Sequence, residues 1–501
     1  MQTAEQVEVL IVGAGISGIG VAIRLRQAGF RDLAVLEKGA SVGGTWRDNT
    51  YPGCACDVPS ALYSYSFAQT PRWSRLFAAQ PEIERYVENT ARRFEVLSLV
   101  RFGEGVESAR WSEPERRWLV KSSRRAYAAR YVISCAGYLH EPQIPALPGL
   151  AEFPGVQFHS SRWNHKHDLR GQRVAVIGTG ASAIQFVPKI QPSVAQLVLF
   201  QRTPQWVLPK PDVELGLLAR ASLSLPGGPQ LLRNFLYRRL EEFGSAFRRP
   251  GRMRMIQALA EAHLKRSVRD AELRRKLTPD YVLGCKRVLL SNDYYPALAQ
   301  PNVEVLPTGV ERVEGRTLVG HDGSRREVDS IILGTGFHVT DPPIAAHIRG
   351  ASGDSLAESW AGSPQAYRGT TIAGFPNAFM VLGPNLAIGH NSAFVVIEAQ
   401  LAYIVSALKQ LRDARITRME VRRDAQATYN RRVQRDLTGT VWNTGGCASY
   451  YLDANGKNSV AFPWNAERMR RILARFDPEN YHLYTGEAPA MKRREGVALH
   501  G

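Results

Sequence analysis

Glu37 and Arg202 each stand 24 residues downstream of the first glycine of a glycine-rich turn, and they carry opposite charge. The first turn reads Gly13-x-Gly15-x-x-Gly18, after the apolar run Val9 to Val12 and before a stretch with the apolar spacing of a helix. Glycine at these places lets backbone N–H groups reach a pyrophosphate at a helix N-terminus, where the macrodipole favours an anion. A carboxylate at Glu37 then accepts hydrogen bonds from a ribose diol and repels a 2′-phosphate, so this site suits FAD or NAD. The second turn, Gly178-x-Gly180-x-x-Ala183, repeats the plan, with Arg202 in place of the acid. A guanidinium there forks onto a 2′-phosphate, with Thr203 as an added donor, so this site suits NADPH.

Each turn demands a strand before it and a helix after it. The fold class expected is therefore α/β, with two Rossmann-like dinucleotide-binding domains, one for FAD and one for NADP. SCAG (134–137) and ILGTGF (332–337) each end an apolar strand in small residues, as expected where a second strand of each domain passes close to a dinucleotide. The stretch EPQIPALPGLAEFPG is a linker by composition. The predicted division is a discontinuous FAD-binding domain over 1–145 and 340–501 and an NADP-binding domain over 153–208 and 284–339. A helical subdomain, 209–283, interrupts the second, and an interdomain linker covers 142–165.

Composition narrows the function classes. The chain has 501 residues with ordinary apolar content and a net charge of +18. Its basic residues concentrate between 218 and 276 at helical spacing with acids interleaved, which reads as a solvated helix face. Weak contact of 209–283 with a membrane surface is the alternative; no nucleic-acid-binding signature accompanies the charge. With a first strand near Val7, no signal peptide is expected, and no apolar run is expected to reach membrane-spanning length. Five scattered cysteines are expected to be free thiols in a reducing cytoplasm, with Cys54 and Cys56 as packing residues and no metal site.

Two cofactors leave the reaction open. A disulfide reductase places a reactive Cys directly after the GGT that follows the first acid, and here Trp46 holds that place. The segment between the two domains decides further. FPGVQFHSSRWN (153–164) sets Phe153, Gly155, His159 and Trp163 in the register F-x-G-x-x-x-H-x-x-x-W, with Asn164 where Pro or Asp is the rule. With this motif and the two turns in the same order along nearly the whole chain, the sequence resembles the type I Baeyer–Villiger monooxygenases, a branch of the flavin-containing monooxygenases.

The resemblance implies an NADPH-dependent flavoprotein that inserts one atom of O₂ beside the carbonyl of a small-molecule ketone, through a flavin C4a-peroxide, giving an ester or lactone. Heteroatom (S or N) oxygenation is the nearest alternative, and an NADPH oxidase a more distant one. The resemblance also implies residue roles. Ser17, Glu37, Thr45, Trp46, Arg47, Asp48 and Tyr63 fall on FAD-contacting positions, and Asp57 on one near both cofactors. Gly180, Ala181, Ser182, Ala183 and Gln185, with Arg202 and Thr203, fall on NADP-contacting positions. Lys286 matches a lysine that helps hold the 2′-phosphate and Arg287 an arginine central to catalysis, with Asp57 as its partner. Tyr450 stands in the loop that closes over NADP, where several members carry Trp. His159 and Trp163 are expected to couple rotation of the nicotinamide domain to the flavin site through positioning. The stretch 383–404 is expected to be a loop entering a helix beside the substrate.

Overall fold

The structure is a computed structural model describing residues 4–486, and two sheets organise it, the first mixed around a parallel centre and the second wholly parallel. In the first, strand Glu5–Val12 lies between Leu33–Glu37 and Ala126–Ser134, parallel to both. Val9, Leu10 and Ile11 have no exposed surface, as a central parallel strand covered on both faces requires. Arg117–Ser122 and Val106–Ser112 extend this sheet antiparallel. The chain returns late to complete it: Ala378–Met380 pairs with Ala126–Ser134, and Ile348–Arg349 with Val106–Ser112.

The second sheet has five parallel strands, in the order Val303–Leu306, Gln196–Phe200, Arg173–Ile177, Ser330–Leu333, Val156–His159. Strand order reverses on either side of Arg173–Ile177, as it does around Glu5–Val12, so each sheet opens a crevice at the carboxyl end of its first strand.

Val207–Leu208 pairs with Leu289–Leu290 and closes the base of a helical insertion. It contains helices Leu217–Leu223, Gly228–Gly244, Pro250–Ser267 and Ala271–Leu277. Arg233 fastens the insertion to the first sheet's side. It is 2% exposed, and its Nη1 donates to the carbonyls of Ala61, Leu62 and Ser64.

Two sequence expectations are corrected here. Helix Ala393–Asp413 is long and apolar enough to cross a membrane (mean hydropathy 1.4), although no such run was expected. It is apolar because it is a core helix: 67% of its most apolar window is buried, and it packs on helix Ile16–Gln27. The second concerns the cysteines. Cys285 and Cys447 form a disulfide, while Cys54, Cys56 and Cys135 are free and buried. The pair is 162 residues apart, so spacing gave no hint of it, and cysteine usage no longer argues for a reducing compartment.

Candidate active site

The two glycine-rich turns are built alike. Gly13 has φ +101°, and a Cβ there would lie 2.7 Å from the carbonyl oxygen of Cys135. Gly178 has φ +110°, and its Cβ would lie 2.3 Å from that of Gly334. The backbone of the SCAG and ILGTGF stretches thus presses on the turns, and only glycine fits at Gly13 and Gly178. At the third place a Cβ on Gly18 would strike the Gly13 carbonyl at 1.8 Å, whereas Ala183 carries its methyl beside Gly334. The second helix has room for alanine and the first does not.

Both turns fit the phosphates of a dinucleotide. Among the described residues, no side chain caps the first-turn N–H groups of helix Ile16–Gln27 or helix Ala183–Ile190. Those open donors border a cavity of about 840 Å³, lined by Gly13, Gly15 and Ser17 from one turn and Gly180, Ala181 and Ser182 from the other. Glu37 is buried at the end of its strand and accepts from Ala14 N (2.9 Å), Gly39 N (2.7 Å) and Arg47 Nη1 (2.8 Å). A carboxylate has about four acceptor positions, so one remains for a ribose hydroxyl.

The cavity runs between the two units past Thr45, Trp46, Arg47, Asp48, Asp57, Tyr63, Gln185, Arg287 and Tyr450. Trp46 donates from Nε1 to the Tyr63 hydroxyl at 3.0 Å, fixing two aromatic walls. Arg287 approaches Asp57 Oδ2 through Nε at 2.8 Å and Nη2 at 2.6 Å, across 230 residues of sequence. Asp57, together with Tyr450 and Tyr451, raises the Arg287 pKa well above its ordinary value against the opposing effect of burial. The guanidinium is thus a permanent cation facing a largely apolar chamber. Tyr138 stands beside it, its hydroxyl pushed up to about 12 by burial.

Arg202 and Lys286 lie outside that lining, Arg202 exposed just past the end of strand Gln196–Phe200. Burial and the charge of Arg202 both lower the Lys286 pKa, with Asp280 pulling weakly the other way. The carbonyl of Thr203 accepts from Thr179 Oγ1 at 3.0 Å, which ties this corner to the glycine turn.

Phe153, Gly155, His159 and Trp163 do not line the cavity; they brace its walls. Gly155 is required by its surroundings, since a Cβ would lie 2.3 Å from the Asp329 carbonyl and 2.6 Å from the Phe153 ring. His159 ends the edge strand Val156–His159, accepts from Ser161 N at 3.1 Å through Nδ1, and faces the Phe337 ring. Burial lowers its pKa to about 4, so the imidazole is neutral at neutral pH and serves as a wedge. The Trp163 ring contacts Phe186, and Phe186 contacts Tyr51 of the first unit, at 5.3 and 6.0 Å between centroids. Gln185 makes the polar half of this joint, accepting from Tyr51 Oη at 3.0 Å and donating to Ala55 O at 3.0 Å. Asn164 Oδ1 accepts from Lys166 N at 3.2 Å, a turn that an aspartate would make equally well.

Sequence reasoning missed Tyr51, Tyr138 and Asn391, all on the cavity wall. They are single residues in loops, with no spacing to mark them. The loop expected over 383–404 ends at Ser392, which caps helix Ala393–Asp413, and Leu386, Ala387 and Ile388 give the cavity an apolar end.

A family model described as pyridine nucleotide-disulphide oxidoreductase matches residues 10–222, a span holding both turns. A relative from Streptomyces coelicolor named Baeyer-Villiger monooxygenase is 47% identical over 485 residues, covering 96% of this chain and 93% of its own. Cyclohexanone monooxygenase from Rhodococcus sp. Phi1, bound to NADP+, superposes with TM-score 0.85 at 27% identity, over 97% of this chain and all of that one. The structure of OTEMO in complex with FAD and NADP superposes with TM-score 0.87 at 25% identity, over 96% of this chain and all of that one.

Proposed function

The chain belongs to the Baeyer–Villiger monooxygenases, and from that premise we propose how its own residues carry out the insertion of oxygen beside a ketone carbonyl. FAD and NADPH are its cofactors: NADPH supplies hydride and the reduced flavin activates O₂. The first sheet, with the returning chain after 340, holds FAD through the Gly13 turn and Glu37. The second holds NADP through the Gly178 turn, Arg202, Thr203 and Lys286.

The observation that carries the residue roles is the Arg287–Asp57 pair in the cavity between the two turns. Arg287 offsets the negative charge that develops on oxygen as the ketone carbonyl is attacked, a stabilisation that strengthens as bound cofactors and substrate displace water from the cavity. Its planar fork and persistent charge suit that task better than a lysine. Asp57 orients the fork and keeps it protonated. Tyr138, Leu386 and Ile388 exclude water from the reacting end, and Tyr450 covers it from the other side. His159 and Trp163 act at a distance, through the Phe186–Tyr51 joint, on how closely the two units approach.

Replacing Arg287 by Ala tests this directly. R287A keeps its bound FAD and loses ester formation by about 10²-fold or more, the usual cost of removing an oxyanion partner. Retained ester formation in R287A overturns the role.

The helical insertion suggests a setting for the substrate. Leu217, Leu218, Leu225, Leu231 and Phe235 are exposed within a strongly basic segment, a combination that suits weak contact with an anionic lipid surface.

A further inference from the structure

Cys285 immediately precedes Lys286 and Arg287, and Cys447 precedes Tyr450 by three residues. Their bond therefore ties the segment carrying the cavity's fixed cation to the segment carrying its tyrosine cover. Among the described residues, hydrogen bonds between the two segments stop short of the cover, and Tyr450 interacts with Arg287 through charge alone. Val282 N donates to Gly445 O at 2.9 Å, and Gly445 sits so close to Cys285 that a Cβ would lie 2.5 Å from the cysteine's own. Beyond that point the chain leaves regular structure. Among the described residues, no backbone N–H of 446–450 donates a hydrogen bond to any other segment, and Gly446, Ala448 and Tyr450 are exposed. Cys285 is 1% exposed and Cys447 half-buried, so a reductant meets the Cys447 sulfur first.

We propose that the Cys285–Cys447 disulfide is a positioning clasp that holds Tyr450 over the Arg287 end of the cavity, and that its reduction loosens NADP+ and diverts turnover to hydrogen peroxide. The proposal rests on the roles given above to Arg287 and Tyr450. A dithiol supplies the two electrons and two protons: the S–S bond breaks, Cys285 and Cys447 become thiols, and the dithiol closes to its own disulfide. Hydrogen peroxide reverses the change, forming the S–S bond while both thiol protons leave in two waters. The by-product of a loosened site thereby restores the clasp.

The test uses purified holoenzyme, untreated or reduced with dithiothreitol and desalted. Alkylation in denaturant labels three cysteines before reduction and all five after it. NADP+ affinity, read from the perturbed flavin absorbance, falls about five-fold or more on reduction, the low end of coupling between sites. The ratio of hydrogen peroxide to ester rises in step, and treatment with hydrogen peroxide returns both to their starting values. Cys447→Ser shows the reduced values from the outset and ignores dithiothreitol. Five labelled cysteines before reduction, or a smaller change in affinity, overturns the clasp. Absence of ester in both states counts against the Baeyer–Villiger roles, while the thiol count and NADP+ affinity still decide the clasp.

Discussion

The like-charged corner of Arg202 and Lys286 makes the most specific statement at the scale of single residues. Lys286 is held below its ordinary pKa by burial and by Arg202, an unfavourable arrangement that a bound 2′-phosphate relieves. The sign of the pH dependence follows. NADPH binds the protonated lysine, so KM for NADPH rises as pH climbs through the free enzyme's Lys286 pKa, below the usual value near 10.4. Arginine does not titrate in that range, so K286R flattens the rise, while K286A raises KM about ten-fold or more below that pKa, as loss of a charge-assisted hydrogen bond does, and approaches the parent above it. Initial rates against pH for the three proteins check this; an unchanged alkaline limb in K286R would show that another group titrates.

At the scale of elements, the joint between the two sheets matters more than either sheet. The edge strand Val156–His159 and the turn after it carry His159, Trp163 and Asn164 to helix Ala183–Ile190, which meets the 51–57 loop through Gln185 and Phe186. Asn164 contributes a turn and no charge, so N164D should match the parent in activity and thermal stability. N164A loses the side-chain acceptor and costs about 0.5–1.5 kcal/mol of stability. Thermal unfolding of the pair decides it: equal loss in both variants would mean that the amide has a role beyond the turn. The helical insertion makes a separate claim. Its Leu217 and Leu218 are 85% and 88% exposed, and vesicles rich in anionic lipid should sediment the protein where zwitterionic ones do not. L217D/L218D should abolish that sedimentation with turnover of a small soluble ketone unchanged; sedimentation that survives the change places the contact elsewhere.

At the scale of the whole molecule, what the sequence made legible was what it kept contiguous. Both turns, the Glu37–Arg202 contrast and the small residues at Cys135 and Gly334 sit in short runs whose spacing follows from one strand-turn-helix geometry. Arg287 and Asp57 meet across 230 residues, and only a resemblance singles out Arg287, with Lys286, from 64 basic side chains. The Cys285–Cys447 bond was misread for the same reason: a pairing between distant loops leaves no periodicity, and five scattered cysteines look like free thiols. Tyr51 is separable only once the two domains face each other and its hydroxyl meets Gln185.

Together these parts insert one oxygen atom of O₂ beside a carbonyl. Incubating the holoenzyme with NADPH, ¹⁸O₂ and a panel of linear, cyclic and aryl ketones, with products weighed by mass spectrometry, tests it most directly. The expected product is an ester or lactone carrying a single ¹⁸O for at least one ketone class, formed in proportion to the NADPH consumed. NADPH consumption that yields labelled hydrogen peroxide with every ketone, or labelled sulfoxide alone when sulfides are added, would contradict it.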